Sequence, residues 1–521
     1  MFFNIMKMKM NMKTIYNKIF LLMIILIPFT SCEDKLDEIN QDVSRARSVD
    51  PIFQLNRAIV SQGPGGANIV YEWAIIRQVH TPFRGVLEGA NSNQVNQGST
   101  VRNWNQFYPN VLKNLIDGIN NLQEDGTRTN ALSAMRIMKA YVFMVCTDTY
   151  GDIPYSEAGL GFIDQIMFPA YDTQESIYSD IISELQSATS ALDAAGDNID
   201  QEALFGGDID KWIRFGNSLL LRAAMRLSKV NPSTAQTIVS GINQNDLMQS
   251  NLDNAFVAHQ TPYDNGGNAN FNNQESSNFY LDSVFVTHLQ TNNDPRLEKI
   301  AIRYVGATSG NGQIPDVAST DPVIQVGLPQ GPDQNGVEDI LDENGVVSLY
   351  DFSQVNRNTV GAQEAPGYLV TYAQTMLLLA EARFRGWATG DAAEAYEEGI
   401  RAHMRQFAQY PASTAVEEAD IDAYIAAHSL SSGTELDQIN TEYWITSFLA
   451  GYDGWANFRR SGFPVLPANP SQGALTGTSE NFIRRLVYPD SEFSINFENL
   501  NAAVSRQGAD LLSTRIWWDA N

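Results

Sequence analysis

Apolar positions along this chain recur mostly at steps of three and four, and one of the clearest such stripes runs from residue 366 to 407. Leu369, Tyr372, Ala373, Met376, Leu377, Ala380, Phe384 and Trp387 fall on one face of a helix, and Pro366 suits its first turn. The Gly386 to Gly390 turn ends that helix. Asp391, with Glu394 three residues on, reads as a capping-box-like start for a second helix whose buried stripe is Ala393, Tyr396, Ile400 and Phe407. Small residues (Ala380, Ala392, Gly399) stand where two antiparallel helices would touch, with Tyr396 between the last two, a spacing similar to a tetratricopeptide helix pair. One such pair cannot bury its own face, so it requires neighbours.

The same periodicity predicts helices over 51–59, 69–79, 101–122, 131–149, 173–192, 212–227, 421–427 and 436–449. Two stretches break it: 259–278, loaded with Asn, Gly and aromatics, and 305–358, with Gly, Pro, Asp and only short β-branched runs. A long aperiodic region inside a globular chain is a functional or irregular subdomain. The pattern therefore predicts a mainly α fold, a tetratricopeptide-like helical repeat scaffold over about 51–258 and 359–460. An irregular, loop-rich ligand-binding insertion occupies about 259–358, and a loop-rich tail covers 461–521, all in one intertwined unit.

Composition adds an address. Lys7, Lys9, Lys13 and Lys18 precede an uncharged apolar run from Ile19 to Ile27 that is too short to span a bilayer, so residues 1–31 read as a signal peptide. Phe29-Thr30-Ser31-Cys32 resembles a bacterial lipobox, with Phe29 in place of the usual leucine, and makes Cys32 the expected lipidation site. Residues 32–50 would then be a lipidated tether, and its acidic start (Glu33, Asp34, Asp37, Glu38) resembles the surface-export signal of Bacteroidetes lipoproteins. Only Cys146 remains, in an apolar run that marks it as a core residue, so no intramolecular disulfide is possible. Without its signal the chain keeps 30 basic against 60 acidic residues. That balance disfavours nucleic acid and leaves the lipid, not a basic patch, to hold the protein at a membrane.

Compact catalytic signatures are absent: the sequence has no G-x-S-x-G, G-x-x-x-x-G-K, H-E-x-x-H or D-x-D-x-D-G motif. Its five histidines lack ligand spacing and no carboxylate pair stands out, so we expect no enzyme, no cofactor and no assigned metal site. The acidity leaves room for a structural divalent cation, to which no residues are assigned. Binding remains. A sugar site needs an aromatic platform flanked by amide and charged side chains. Trp104 and Tyr108, one turn apart beside a loop containing Arg84 and Asn91, form one candidate set, and Tyr263, Asn265, Asn270, Phe271 and Tyr280 form another. Helical spacing suits Trp104 and Tyr108 equally well to a core face.

Several segments together resemble the SusD/RagB family of nutrient-binding outer-membrane lipoproteins. They are Leu379-Ala-Glu-Ala382, Tyr150-Gly-Asp-Ile-Pro-Tyr155, Asn293-Asp-Pro-Arg-Leu297, Tyr452-Asp-Gly-Trp455 with Phe458-Arg459-Arg460, Arg484-Arg485-Leu-Val-Tyr-Pro489 and the terminal Trp517-Trp518-Asp519. The likeness is greatest to the subgroup with the Arg-Arg-Leu-x-Tyr-Pro and Trp-Trp-Asp tail. It implies four tetratricopeptide-like pairs cradling a ligand-binding subdomain, in a cell-surface lipoprotein of the outer membrane. It implies capture of glycans or oligosaccharides and their delivery to a TonB-dependent barrel of the SusC type. Alternatives are a peptide-binding lid of such a transporter, a repeat adaptor without small ligand, or a lipid-anchored hydrolase. The quoted motifs themselves read as scaffold, with Trp517 and Trp518 buried.

Overall fold

The computed structural model describes residues 49–62, 70–83, 88–272 and 279–520. The signal peptide, Cys32, nearly all of the tether and Arg84 lie outside the described residues.

Fifteen helices of six residues or more occur among the described residues. They are α1 (Pro51–Val60), α2 (Val70–Ile75), α3 (Arg102–Phe107), α4 (Lys113–Asp125), α5 (Thr129–Tyr150), α6 (Gln174–Ala191), α7 (Ile209–Arg226), α8 (Pro232–Gly241), α9 (Ser283–Thr291), α10 (Tyr372–Phe384), α11 (Ala392–Gln406), α12 (Glu418–Ala427), α13 (Glu435–Thr446), α14 (Gly451–Ser461) and α15 (Phe497–Gln507). Successive helices pack: α4 on α5, α5 on α6, α6 on α7, and then α10 on α11 and α13 on α14. The contact of α7 with α10 joins the two series. Helix α5 is buried nearly all round its second half, as a sequence apolar on every face requires, and Cys146 sits within it at zero exposure. Mainly α architecture with helical repeats is what the periodicity predicts.

The repeats close on small residues. A Cβ on Gly118 of α4 would lie 2.4 Å from Met135 Cε of α5, one on Gly216 of α7 would lie 2.7 Å from Thr189 Cγ2 of α6, and one on Gly399 of α11 would lie 2.8 Å from Leu377 Cγ of α10. Gly399→Val is therefore expected to force α10 and α11 apart and to cost about 1–3 kcal/mol. Urea unfolding followed by circular dichroism would check this.

Several boundaries differ from the periodic reading. Residues 367–370 are not the first turn of a helix but strand β9 (Gly367–Val370), paired antiparallel with β4 (Ala255–Val257). Helix α10 begins later because a full capping box stands at its start. The Thr371 hydroxyl accepts from the Gln374 backbone N–H at 3.2 Å, and the Gln374 side chain accepts from the Thr371 N–H at 3.2 Å. At α11, Asp391 caps without help from Glu394, accepting from the Ala393 N–H at 2.8 Å. The helix expected over 101–122 is interrupted by a π turn, Tyr108–Leu112. Pro109 has no N–H to offer the Asn105 carbonyl, which instead accepts from the Asn110 side chain at 3.4 Å. The stretch expected as one helix over 69–79 is α2 followed by strand β1 (Val79–His80). Helix α8 had no counterpart in that reading, and the tail contains α15.

The 259–358 insertion holds most of a five-stranded antiparallel sheet, in the order β1–β5–β8–β6–β7. Its strands are β5 (Tyr280–Leu281), β6 (Ala301–Tyr304), β7 (Ala318–Ser319) and β8 (Gln354–Val355), with β1 contributed from before the insertion, while β2 (Ile153–Pro154) and β3 (Tyr171–Asp172) pair with each other. Tyr280, Leu328, Val337, Val346, Leu349 and Phe352 form a small core of their own under this sheet.

A buried polar network ties the helical series to the tail. Arg226 of α7 donates from Nε to Asp148 Oδ2 at 3.2 Å and from Nη2 to Asp453 Oδ1 at 2.6 Å. Asp453 of α14 also accepts from Tyr443 of α13 and, at 3.1 Å, from Gln374 of α10. Trp518 donates its indole N–H to Asp148 Oδ1 at 2.8 Å. With Tyr178 of α6, which also donates to Asp148, six helices and the C-terminal tail share two carboxylates, each of them paired and hydrogen-bonded as burial demands.

Candidate functional site

Most of the aromatic candidates are scaffold. Trp104 is 7% exposed, its ring enclosed by Tyr108 at 4.6 Å, Tyr150 at 5.4 Å, Tyr488 at 6.0 Å and Tyr171 at 6.1 Å between centroids. Tyr108 points its hydroxyl to the Pro154 carbonyl at 2.7 Å. The exposed platform expected there is instead a core cluster, because a one-turn spacing directs both rings inward onto α5 and the Tyr171 strand. Phe271 is buried against Trp73 at 5.7 Å, and Tyr280 is fully buried in the small core of the insertion. Asn91 is a clamp: it donates to the Pro332 carbonyl at 3.0 Å and accepts from the Gly331 N–H at 3.1 Å. For Asn270 only the backbone is described, within the 3-10 turn Asn268–Asn272.

One candidate lines a hollow. Asn265 is buried, donates to the Ala365 carbonyl at 3.1 Å and accepts from the N–H groups of Gly267 and Asn268, which folds the 259–272 loop down onto residues 356–366. Tyr263 stands two residues away on the same loop, 73% exposed. Beneath the loop Asn265 and Asn268 line one hollow with Gln406 and Tyr410. Tyr368, Leu449 and Ala450 form the wall shared with a second recess, a narrow one with about 40 Å³ of water-accessible space.

That recess is lined by three tyrosines, Tyr141, Tyr368 and Tyr452, with Gln62 and Arg222 beside them and Asp453 at its base. Strand β9 presents Tyr368, held by its hydroxyl donating to Gln409 at 2.7 Å and by ring contacts with Phe256 and Tyr410. Leu449, at φ 64°, turns the chain sharply between α13 and α14, which places Ala450 and Tyr452 on the rim. Arg222 Nε lies 3.5 Å from Asp453, too far for a good hydrogen bond, and Arg226 Nη1 is buried with no hydrogen-bond partner among the described residues. Flat apolar faces, amides and donors with spare capacity can hold a ring bearing hydroxyls.

Electrostatically the base of the recess is closed on itself. Burial pushes the Asp453 carboxyl up, but the guanidiniums of Arg222 and Arg226 outweigh it and hold the group below the usual range. Both arginines are raised in turn: burial opposes their charge, and Asp453 foremost more than compensates. Charges paired in this way are not tuned for proton transfer near neutrality. Among the described residues no group of three or more His, Cys, Asp or Glu side chains is placed to hold a metal ion.

The Glu72 carboxyl is displaced toward neutrality. Burial pushes Glu72 up to about 8 against the hydrogen bond that Asn103 donates to it at 3.0 Å. Asn103 in turn accepts from the Tyr452 hydroxyl at 2.8 Å, so this acid stands behind the recess wall. A group raised in the folded state stabilises fully below its unfolded pKa and loses that contribution as pH rises through its folded value. Glu72→Gln is therefore expected to gain on the wild type between pH 4.5 and 8, by on the order of 5 kcal/mol. Thermal melts at pH 5, 7 and 9 would check it.

The recess residues were mostly not nominated from sequence. Arg222 and Arg226 carried a signal, being two charges one turn apart inside the otherwise apolar run Leu219 to Leu227. Tyr452 lay inside a quoted motif. Tyr141 and Tyr368 had no signal beyond their ring.

A sequence family described as starch-binding and associating with the outer membrane matches residues 48–489. The chain belongs to this SusD-like family. Among solved structures it is similar to a chitin-binding protein, at 29% identity and a TM-score of 0.79, covering 91% of this chain and 100% of that one. A Bacteroidetes SusD-like protein aligns at 29% identity and a TM-score of 0.77, with the same coverage of both chains. A SusD homologue from Bacteroides fragilis, 23% identical with a TM-score of 0.70 over 91% of this chain and 100% of its own, shares the fold. No functionally curated protein matches. Membership in the family carries nutrient binding and association with the outer membrane.

Proposed function

We infer that this protein is a cell-surface lipoprotein that captures glycans or oligosaccharides and delivers them to a TonB-dependent, SusC-like outer-membrane transporter. The observation that carries this reading is the recess in which Tyr141, Tyr368 and Tyr452 stand with the Gln62 amide and the Arg222 guanidinium, next to the hollow that Asn265 and Asn268 line on the loop that also carries exposed Tyr263. Sugars present apolar faces and hydroxyl rims that such a lining satisfies. The chitin-binding relative at 29% identity supports a carbohydrate ligand. Binding without cleavage fits the self-neutralised base, which offers no acid and base of separated pKa.

The test is isothermal titration calorimetry of the soluble chain from residue 33 against chitin and starch oligosaccharides and a peptide digest. We expect binding to one glycan class, weakened at least tenfold by Ala450→Trp, which fills the rim, and measurably weakened by Tyr263→Ala. Both variants should melt with the wild type. Heat from peptides alone would replace glycans by peptides, and silence across the panel would overturn ligand capture.

A further inference from the structure

Opposite in character to the recess is a large apolar ridge on the loop after the Tyr150 to Tyr155 motif. Phe162 is 91% exposed, and Met167, Phe168, Ile495 and Phe497 are each between 55% and 69% exposed. These residues are contiguous. A Cβ on Gly161, next to Phe162, would lie 3.7 Å from Met167 Sδ, and Asn496 and Asn499 donate to the Pro169 and Phe168 carbonyls at 2.8 and 2.9 Å. Those bonds, with Tyr171 donating to Glu492 at 2.8 Å, clamp the loop against α15 and hold the ridge in place. With large side chains at about 150–250 Å² each, it presents on the order of 600 Å² of apolar surface, at the upper end of what a monomer exposes.

The other side of the same loop forms a trough of about 500 Å³, where Ile116, Phe143 and Ile163 stand beside Asp164, Asp172 and Asp180. Its one lining base, Lys139, is 3.4 Å from Glu184 and so already paired. Segments 156–180 and 489–505 carry five and three carboxylates and no Lys or Arg. An apolar ridge inside an acidic field selects its occupant. A second copy of this chain would bring acid against acid, and an anionic lipid surface would be repelled for the same reason.

We propose that this ridge and trough are the docking face for the transporter, received by an apolar surface with a basic rim. The assignment rests on the partnership inferred above. The apolar area approaches the roughly 800 Å² per partner of a stable interface, and the trough accepts basic side chains beside it. The recess and the trough share α5, which gives Tyr141 and Asp148 to the one and Lys139 and Phe143 to the other, while no residue lines both and the ridge takes none from the recess.

The test is co-purification of the tagged lipoprotein from detergent-solubilised outer membranes, with the barrel identified by mass spectrometry. Phe162→Ser combined with Met167→Ser and Phe168→Ser is expected to lower barrel recovery at least tenfold, while melting and glycan titration of the soluble variant match the wild type. Raising salt from 0.1 to 0.5 M should weaken the wild-type complex, and Asp164→Lys with Glu498→Lys should weaken it without any change in fold. Undiminished recovery with the triple-serine variant, alongside a wild type that brings the barrel, would overturn the docking face and leave the partnership standing. A wild type that brings no barrel would overturn the partnership, and the face with it. Self-association in sedimentation, or binding to phosphatidylcholine vesicles, that the serine substitutions abolish would give the ridge to a second copy or to lipid instead.

Discussion

Replacing Glu381 by alanine is expected to cost about 3–5 kcal/mol, since it leaves the guanidinium of Arg460 buried without its counter-charge. Arg460 of α14 reaches α10 with a two-pronged contact, Nη1 donating to Glu381 Oε1 at 2.7 Å and Nη2 to Oε2 at 2.6 Å. Both side chains are essentially without exposure. Asn440 of α13 donates to the same carboxylate at 3.1 Å and accepts from Arg460 at 2.9 Å, so three helices of the second repeat series meet at one ion pair. Glu381→Met with Arg460→Met should recover part of the loss, because removing both charges also removes both desolvation costs; Asn440, Asn457 and Ser228 would still lack the donor they now share. Urea unfolding of the two single variants and the double variant gives the coupling directly.

The same carboxylate makes an acid-side prediction. Burial raises it, but the Arg460 guanidinium outweighs burial and, with Arg385, holds Glu381 at about 2. A group depressed in the folded state contributes its full stability above its unfolded pKa and loses it as pH falls through the folded value. The stability difference between wild type and Glu381→Gln should therefore shrink between pH 4.5 and 2, by on the order of 3 kcal/mol. A difference that stayed constant across that window would show that the pair is not ionised in the way the geometry requires.

Glu381 also marks what could be read in advance. The 366–407 stripe located the α10–α11 pair because helix packing leaves a periodic record, and small Gly399 marked the crossing. Leu379-Ala-Glu-Ala382 gave the position of Glu381 but nothing of its partner, which lies 79 residues further on. Strand β9 escaped because Leu369 and Val370 fit a helical face as well as a short strand, and only pairing with β4 decides between them. Trp104 and Tyr108 fit the helical spacing of a core face as well as that of a platform, and the core claimed them. The recess was almost illegible: Gln62, Tyr141, Arg222, Tyr368 and Tyr452 come from five separate segments, and their convergence is a product of how the repeats stack. Asn265 was found for its amide, yet its three hydrogen bonds shape the loop that roofs the hollow.

The terminal Trp517-Trp518-Asp519 shows the opposite case, a motif whose weight is clear once the fold is known. Trp518 is fully buried, between Arg459 at 4.9 Å and Arg226 at 5.9 Å from its ring centroid, and its N–H completes the donors around Asp148. Trp518→Ala is expected to cost about 3–5 kcal/mol, from lost burial and the cavity left among charged side chains. Trp518→Phe keeps most of the volume but not the N–H; since Tyr178 and Arg226 still donate to Asp148, it should cost only about 1 kcal/mol. Urea unfolding of both variants separates packing from hydrogen bonding. A loss below about 1 kcal/mol for the alanine variant would mean that the tail rests on the helical series without bracing it. The Asp148 network would then have to stand on α5, α6, α7 and α14 alone.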